Sequence, residues 1–556
     1  MLVLLLAAPI ATAVIVAALG PRRADLIRWI SLGSVSLSLL LTATLAVNYS
    51  ALVLTGRADS AASGSAKVAT FRPVIVPGDP GITVKDAVGN VHREASHATT
   101  WDLLHLGPGR VQFYVGLDGL NVWLVALTAL LMVPAVLVSW NSIQQRVNEY
   151  YAWLLALETG MIGVFLAFDI ILFYVFFELT LVPLFFLIGI WGGPERRHAA
   201  RKFFIYTLTG SLLTLLGVLG VVLACYNKSD GELTFSIPRL VAIVQERLAL
   251  QSSEEQAFWR GVQLWVFLAL TAGFAVKVPL VPLHTWLPLA HVEAPTAGSV
   301  LLAGVLLKIG AYGFLRLCLP LTPDASLAVG VPLIGSLAVI GIVYGAFCAY
   351  SQSDIKKLVA YSSVSHLGFC MLGMFALNAT GISGSLLQMV NHGLSTGALF
   401  LLVGMLYDRY HTRRLSDYGG MASRLHLLAF FTVFICLSSA GLPGLNGFIG
   451  EILVLFGAFN LQGSRVSGTL LAVVAASGIV LGAWYLLTLL QRVFFGPLKE
   501  PPHEGDGPVA DLCVREVAAL MPIAVLCVVI GVFPQPMLDT AKPDIDVLAA
   551  IADRAR

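Results

Sequence analysis

The 556-residue sequence is 57% hydrophobic and only 12% charged, with a formal net charge of +2. Soluble domains carry about a quarter charged residues, so water is excluded as the main solvent, and without a Lys/Arg block a nucleic-acid partner is excluded as well. Seven cysteines lie singly, with no zinc or iron–sulfur spacing, and no Gly-rich dinucleotide fingerprint occurs; the expectation is a chain with no metal, cofactor or redox centre of its own.

Apolar runs of about 20 residues, the thickness of a bilayer core, recur along nearly the whole chain. The first, over 2–20, lacks the basic flank and cleavage site of a signal peptide and is read as a spanning helix. Further spans are expected at 27–54, 117–138, 152–167, 170–190, 202–225, 262–283, 296–318, 327–349, 358–377, 383–406, 427–459, 467–495 and 516–534, which makes an all-α integral membrane fold of about fourteen helices. Basic residues gather on alternate loops, at Arg22, Arg23 and Arg28, at Arg196, Arg197, Arg201 and Lys202, at Lys356 and Lys357, and at Arg409, Arg413, Arg414 and Arg424. The positive-inside rule assigns those loops to the cytoplasm and both termini to the outer side.

Polar stretches over 55–112 and 227–260 fall on the predicted outer side. The first is rich in Gly, Ser and Pro and reads as a surface loop. The resulting division is N-terminal helices with that long loop over 1–151, a five-helix unit over 152–318, a second over 319–495, and a last loop, helix and tail over 496–556. Two spans are interrupted by proline, AVKVPLVPLHTW around Pro279 and Pro282 and SSAGLPGLNGFIGE around Pro443. Proline lacks the N–H of a helical hydrogen bond, so each is expected to unwind and to free carbonyls near Ala275 and Ser439. Broken helices at matching places in two halves are a mark of inverted-repeat transporters.

Seven ionisable residues lie inside apolar helices: Glu158, Glu178, Lys277, Lys308, His366, His392 and Glu451. A charge at mid-bilayer costs about 2.5–3.5 kcal/mol on insertion scales, so such residues face the protein interior or a hydrated cavity. Lys277 precedes the Pro279 break, and Lys308 has Gly304 one turn before it and Ala311 and Tyr312 one turn after, small residues there leaving room for water or a neighbouring helix. A Glu–Lys pair about 4 Å apart at an effective dielectric near 20 interacts by about 4 kcal/mol. Moving Glu178 toward or away from Lys277 would then load or unload a proton. The plainer reading is a set of structural ties, with Glu158 snorkelling from near the end of its span.

The run HTWLPLAHVEAPTAGSVLLAGVLLKIGAYG from His284 to Gly313, with SQSDIKKLVAYSSVSHLGF from Ser351 to Phe369, resembles the signature of the antiporter-like family shared by respiratory complex I and Mrp-type cation/proton antiporters. The resemblance covers roughly 113–535, and ELTLVP at Glu178 with GFIGEILVLFG at Gly447 is similar to the M-type branch, the counterpart of mitochondrial subunit four. It implies two inverted five-helix repeats and a relay in which Glu178 is the essential carboxylate, Lys277 its lysine partner, Lys308 the connecting lysine, His366 and His392 a central histidine pair, and Glu451 the terminal carboxylate. Leu289 stands where the family usually has aspartate.

What the resemblance implies is a proton-translocating membrane-arm subunit of NADH:quinone oxidoreductase in a bacterial inner membrane. L-type and N-type neighbours are its expected partners, with lipids around them, and FMN, iron–sulfur clusters and quinone are expected in other subunits. A subunit of an Mrp-type Na⁺/H⁺ antiporter, the membrane arm of a membrane-bound hydrogenase, and a non-pumping scaffold are the alternatives.

Overall fold

The computed structural model describes all residues except 64–81, 86–90, 95–97, 100, 108, 229–232, 251, 504–507 and 556. In chain order the helices are α1 (Leu2–Ala18), α2 (Ala24–Ser63), α3 (Val122–Ser142), α4 (Val147–Leu166), α5 (Ile170–Trp191, bent at Thr180), α6 (Arg196–Lys228), α7 (Ile237–Leu248), α8 (Ser253–Lys277), α9 (Trp286–Glu293), α10 (Thr296–Leu321), α11 (Pro323–Tyr350), α12 (Ile355–Met374), α13 (Ala379–Tyr410), α14 (His426–Ser439), α15 (Asn446–Phe459), α16 (Gly468–Val493), α17 (Val514–Val532) and α18 (Gln535–Arg554). Among the described residues ten helices are long and apolar enough to cross a membrane, and α1, α14 and α15 are shorter apolar helices. Helices α4 and α12 fill two more of the expected spans, so the all-α membrane bundle stands while the figure of fourteen stays an expectation.

Departures from the expected pattern lie in the two polar stretches. The segment read as a loop over 55–112 begins as a continuation of α2 and then holds short antiparallel pairs, β1 (Ile82–Lys85) with β2 (Val91–Glu94), and β3 (Asp102–Leu106) with β4 (Gly109–Gln112). Its Pro/Gly-rich VPGDPG stretch lies outside the described residues. The polar stretch over 227–260 contains the amphipathic α7, whose Ile237, Leu240, Val241, Ile243 and Val244 are buried. Strict apolar runs do not predict such elements, because an amphipathic helix buries only one stripe.

Local sequence sets the helix starts. Asp169 accepts from Ile171 N and Leu172 N at 2.9 and 3.1 Å and caps α5, and Asp354 does the same for α12 through Lys356 N and Lys357 N. Helices α10 and α13 run through the middle, almost wholly buried. They cross at glycine: a Cβ on Gly393 would come within 2.8 Å of the Gly304 carbonyl, so the two backbones touch.

A buried knot ties the C-terminal part of α10 to the start of α3. Arg316 of α10, fully buried, holds Asp118 through two nitrogens at 2.6 and 2.8 Å and donates to the Tyr312 hydroxyl at 2.9 Å. Its guanidinium also lies 4.6 Å from the Phe168 ring. Asp544 of α18 accepts the Gly119 N–H at 2.7 Å, which docks the last helix on the bundle.

Candidate functional site

Two wide π-turns, Leu302–Leu306 and Phe314–Cys318, flank the α-helical turn of α10 that carries Lys308. Such turns shift carbonyls out of the regular ladder and are frequent at functional sites. Lys308 Nζ donates to the Ala303 carbonyl and meets His392 Nδ1 of α13, both at 2.5 Å. The His392 ring is 5.8 Å from that of His366 on α12. His366 Nδ1 lies 3.1 Å from Glu451 Oε1 on α15, and Tyr485 of α16 brings its hydroxyl to 3.3 Å from His366 Nε2. Gln388 Nε2 donates to the same Glu451 oxygen at 3.4 Å. Of the seven expected residues four thus form one buried line, Lys308, His392, His366 and Glu451, drawn from four helices. Each is less than a tenth exposed.

This line is incompletely hydrogen-bonded. His392 Nε2, Gln388 Oε1 and Asn391 Oδ1 are buried without a partner. A polar network with spare donors and acceptors has more than one way to bond, which is what a relay needs and a rigid tie does not.

At the other end the geometry departs from the expected ion pair. Lys277 is the last residue of α8, where the Pro279 break begins. Its Nζ donates to Thr180 Oγ1 at 3.4 Å and lies 4.3 Å from the Phe177 ring. No ion pair within 4.0 Å joins it to Glu178 among the described residues. Glu178 is half-buried, two residues before the Thr180 bend, so it stays at the edge of this chain's interior. Lys277 is near the line nonetheless: a Cβ on Gly310 would come within 2.9 Å of the Lys277 Cβ.

Two further expectations are corrected. The Pro279 break does not free the Ala275 carbonyl, which accepts from Leu280 N at 2.9 Å, while the Val276 carbonyl accepts from the Trp286 indole at 3.0 Å. The wide turn after Lys277 therefore re-pairs the groups that proline would have left unmet. Nor does the structure bring Glu158 to the line or to the membrane edge: it is fully buried on α4, and the polar side chain acting on it is Ser38 of α2. The break at Pro443 is as expected, with α14 ending at Ser439 and α15 starting at Asn446. Asn446 spans it, its Oδ1 accepting from Ser438 Oγ at 2.5 Å.

Sequence reasoning missed His291, Lys356, Tyr485 and Arg316. His291 is fully buried, stacked 4.5 Å from the Phe400 ring, with both ring nitrogens unpartnered. Lys356 and Lys308 are the cations that act on it. Lys356, taken for a loop residue, is buried and donates to the Ala294 carbonyl at 2.6 Å. The available signal was Asp354: a helix cap places the next two residues in the first turn, where a side chain can point inward as easily as outward. Leu289 is half-buried against the core.

Comparison with known proteins bears on the family and the fold. A family model for NADH:quinone oxidoreductase/Mrp antiporter transmembrane proteins matches residues 167–479. The NADH-quinone oxidoreductase subunit M of Pseudomonas aeruginosa is 43% identical over 435 residues, covering 77% of this chain and 80% of that one. A chain of respiratory complex I from Thermus thermophilus superposes with a TM-score of 0.78 at 29% identity, over 99% of this chain and 100% of that chain. A chain of the Mrp complex from Dietzia matches in fold alone, with a TM-score of 0.75 at 19% identity over 100% of this chain and 99% of that chain.

Proposed function

The chain belongs to the NADH:quinone oxidoreductase/Mrp antiporter family, and on that footing we propose that it works as the M-type, proton-translocating subunit in the membrane arm of a complex I. The observation that carries this reading is the buried line from Lys308 through His392 and His366 to Glu451. It joins titratable groups of four helices without a single saturated ion pair.

In the cycle we infer, Lys277 takes a proton from the cytoplasmic side while Glu178 repositions. Lys308, His392 and His366 pass it along the middle of the membrane, and Glu451 releases it toward the outer half. The unpaired arrangement of Glu178 and Lys277 is one of the two states this requires, and closing the pair is the other. A closed pair at about 4 Å is worth about 4 kcal/mol at an effective dielectric near 20. Moving one charge against 100 mV costs about 2.3 kcal/mol, so the switch is strong enough.

The spans over 152–318 and 319–495 act as the two inverted repeats, with the breaks at Pro279 and Pro443 in corresponding places. Electron transfer, with its FMN, iron–sulfur clusters and quinone, belongs to partner subunits. L-type and N-type chains flank this one in a bacterial inner membrane.

The test is proton pumping by the assembled complex in sealed vesicles. Lys308→Met and Lys277→Met are each expected to stop pumping while the subunit stays assembled; unchanged pumping in both defeats the reading.

A further inference from the structure

One face of α2 carries Ser31, Ser34, Ser38 and Thr42, spaced three and four residues apart and therefore stacked along one stripe. All four are buried where α2 packs on α1, α3 and α4. Among the described residues none of the four hydroxyls has a hydrogen-bond partner. Many helical hydroxyls elsewhere bond to their own helix, Thr12, Thr44, Thr128, Ser139 and Thr432 each donating to the carbonyl four residues back, and the unmet Thr271, Ser326 and Ser439 are scattered on separate helices rather than stacked in one stripe.

Glu158 meets this stripe from α4. It is fully buried, and both of its carboxylate oxygens are unpartnered. The Ser38 hydroxyl is close enough to act on it but lies outside hydrogen-bond geometry. No cation pairs with Glu158 among the described residues. Five unmet polar side chains in one seam are not tolerated dry, since each would lose its hydration without replacement, and a seam of this polarity suits water.

The two ends of the stripe differ in polarity. At the end near the basic loop, Arg28 donates to Asp25 at 2.9 Å and to the Ile143 carbonyl at 3.1 Å, while its Nε and the nearby Tyr151 hydroxyl are unpartnered. At the far end, Leu45 and Ala46 close the stripe before Tyr49. Glu158 faces away from the relay: Gly160, two residues on, is the position that packs against Thr180.

We propose that the seam between α2 and α4 is a water-holding half-channel that opens beside Arg28 and ends at Glu158, which exchanges protons there as a site separate from the Lys308–His392–His366–Glu451 line. The assignment does not depend on that line, and its test needs no pumping.

Infrared difference spectra of the assembled complex in lipid vesicles supply the test. Glu158→Gln should remove one carboxyl signal that responds to bulk pH and moves promptly on transfer into D2O. The double variant Ser34→Val with Ser38→Val, which keeps the carboxyl and lines the seam with methyls, should slow that exchange by about tenfold or more. A Glu158 signal that is absent, that ignores pH, that responds to sodium instead, or that exchanges equally fast in the valine variant overturns the proposal. Should Glu158→Gln not assemble, Ser38→Ala assigns the signal by shifting it, and an unshifted spectrum overturns the proposal equally.

Discussion

The molecule buries two groups of charges, and they are built in opposite ways. Near the C-terminal end of α10, Arg316 is matched by two Asp118 oxygens, the Tyr312 hydroxyl and the Phe168 ring. In the middle, Lys308, His392, His366 and Glu451 touch through single contacts, with His392 Nε2 and Gln388 Oε1 left over. Both groups carry ionisable residues at low exposure, so burial alone does not tell a tie from a relay. Saturation does. A fully matched cation has one low-energy arrangement, whereas a chain with spare partners has several of similar energy, and a proton can move among them.

If that contrast is right, cutting each group has a different consequence. Arg316→Leu strands the Asp118 carboxylate, and breaking a buried pair from one side costs about 3–5 kcal/mol. The subunit is expected to be lost from the assembled complex, and the added Asp118→Leu should recover much of it; quantifying the chain in purified membranes checks both. A half-mutant as abundant as the parent would mean that the knot is not a tie. Glu451→Gln keeps shape and hydrogen bonds but not the ability to titrate. It should leave assembly untouched and cut pumping by tenfold or more, a barrier change of about 1.4 kcal/mol at least. Normal pumping with this variant would reduce the line to a second tie.

A smaller effect sharpens the contrast at the Lys277 end. Thr180 gives Lys277 its one hydrogen bond, a long one at 3.4 Å. Thr180→Val keeps the volume and removes the acceptor, a loss of about 1 kcal/mol. Pumping is expected to fall several-fold with assembly intact, read as proton uptake per electron in vesicles. No change would place the Lys277 anchor on the Phe177 ring alone.

The sequence made the relay legible and the ties illegible for a physical reason. Lys308, His366, His392 and Glu451 stand alone in apolar runs, and a lone charge in such a run has to be buried inside the protein. Their order in space could not be read, because it depends on where α10, α12, α13 and α15 cross. The Gly304 and Gly393 contact that fixes one crossing is a property of two distant segments. Arg316 lay in an equally apolar run, but close to its end, where a charge is easily read as snorkelling. Glu178 and Lys277 were expected to pair because both are charged and near breaks. The structure instead places the Thr180 hydroxyl and the Phe177 ring on the lysine, a choice of partner that spacing does not encode.

The slightest of the expected effects concerns the one surplus acid of the Arg316 knot. Asp544 lies on α18, outside the spanning helices, and its carboxyl is pushed up to about 8, first by burial and then by the nearby Asp118 carboxylate. The folded chain therefore holds the Asp544 proton more tightly than the unfolded chain, whose Asp titrates near about 3.9. The neutral form's contribution to docking is complete below that value and is lost as pH rises through the folded value. Docking of α18 should loosen between about pH 4 and 8 and change little above that, seen as faster amide exchange over Ile545–Ile551, and Asp544→Asn should flatten that dependence while keeping the acceptor for Gly119 N–H. The relay should be indifferent to this change, because α18 carries none of its residues. Pumping that follows Asp544 with pH would show that the saturated knot and the unsaturated line are coupled after all.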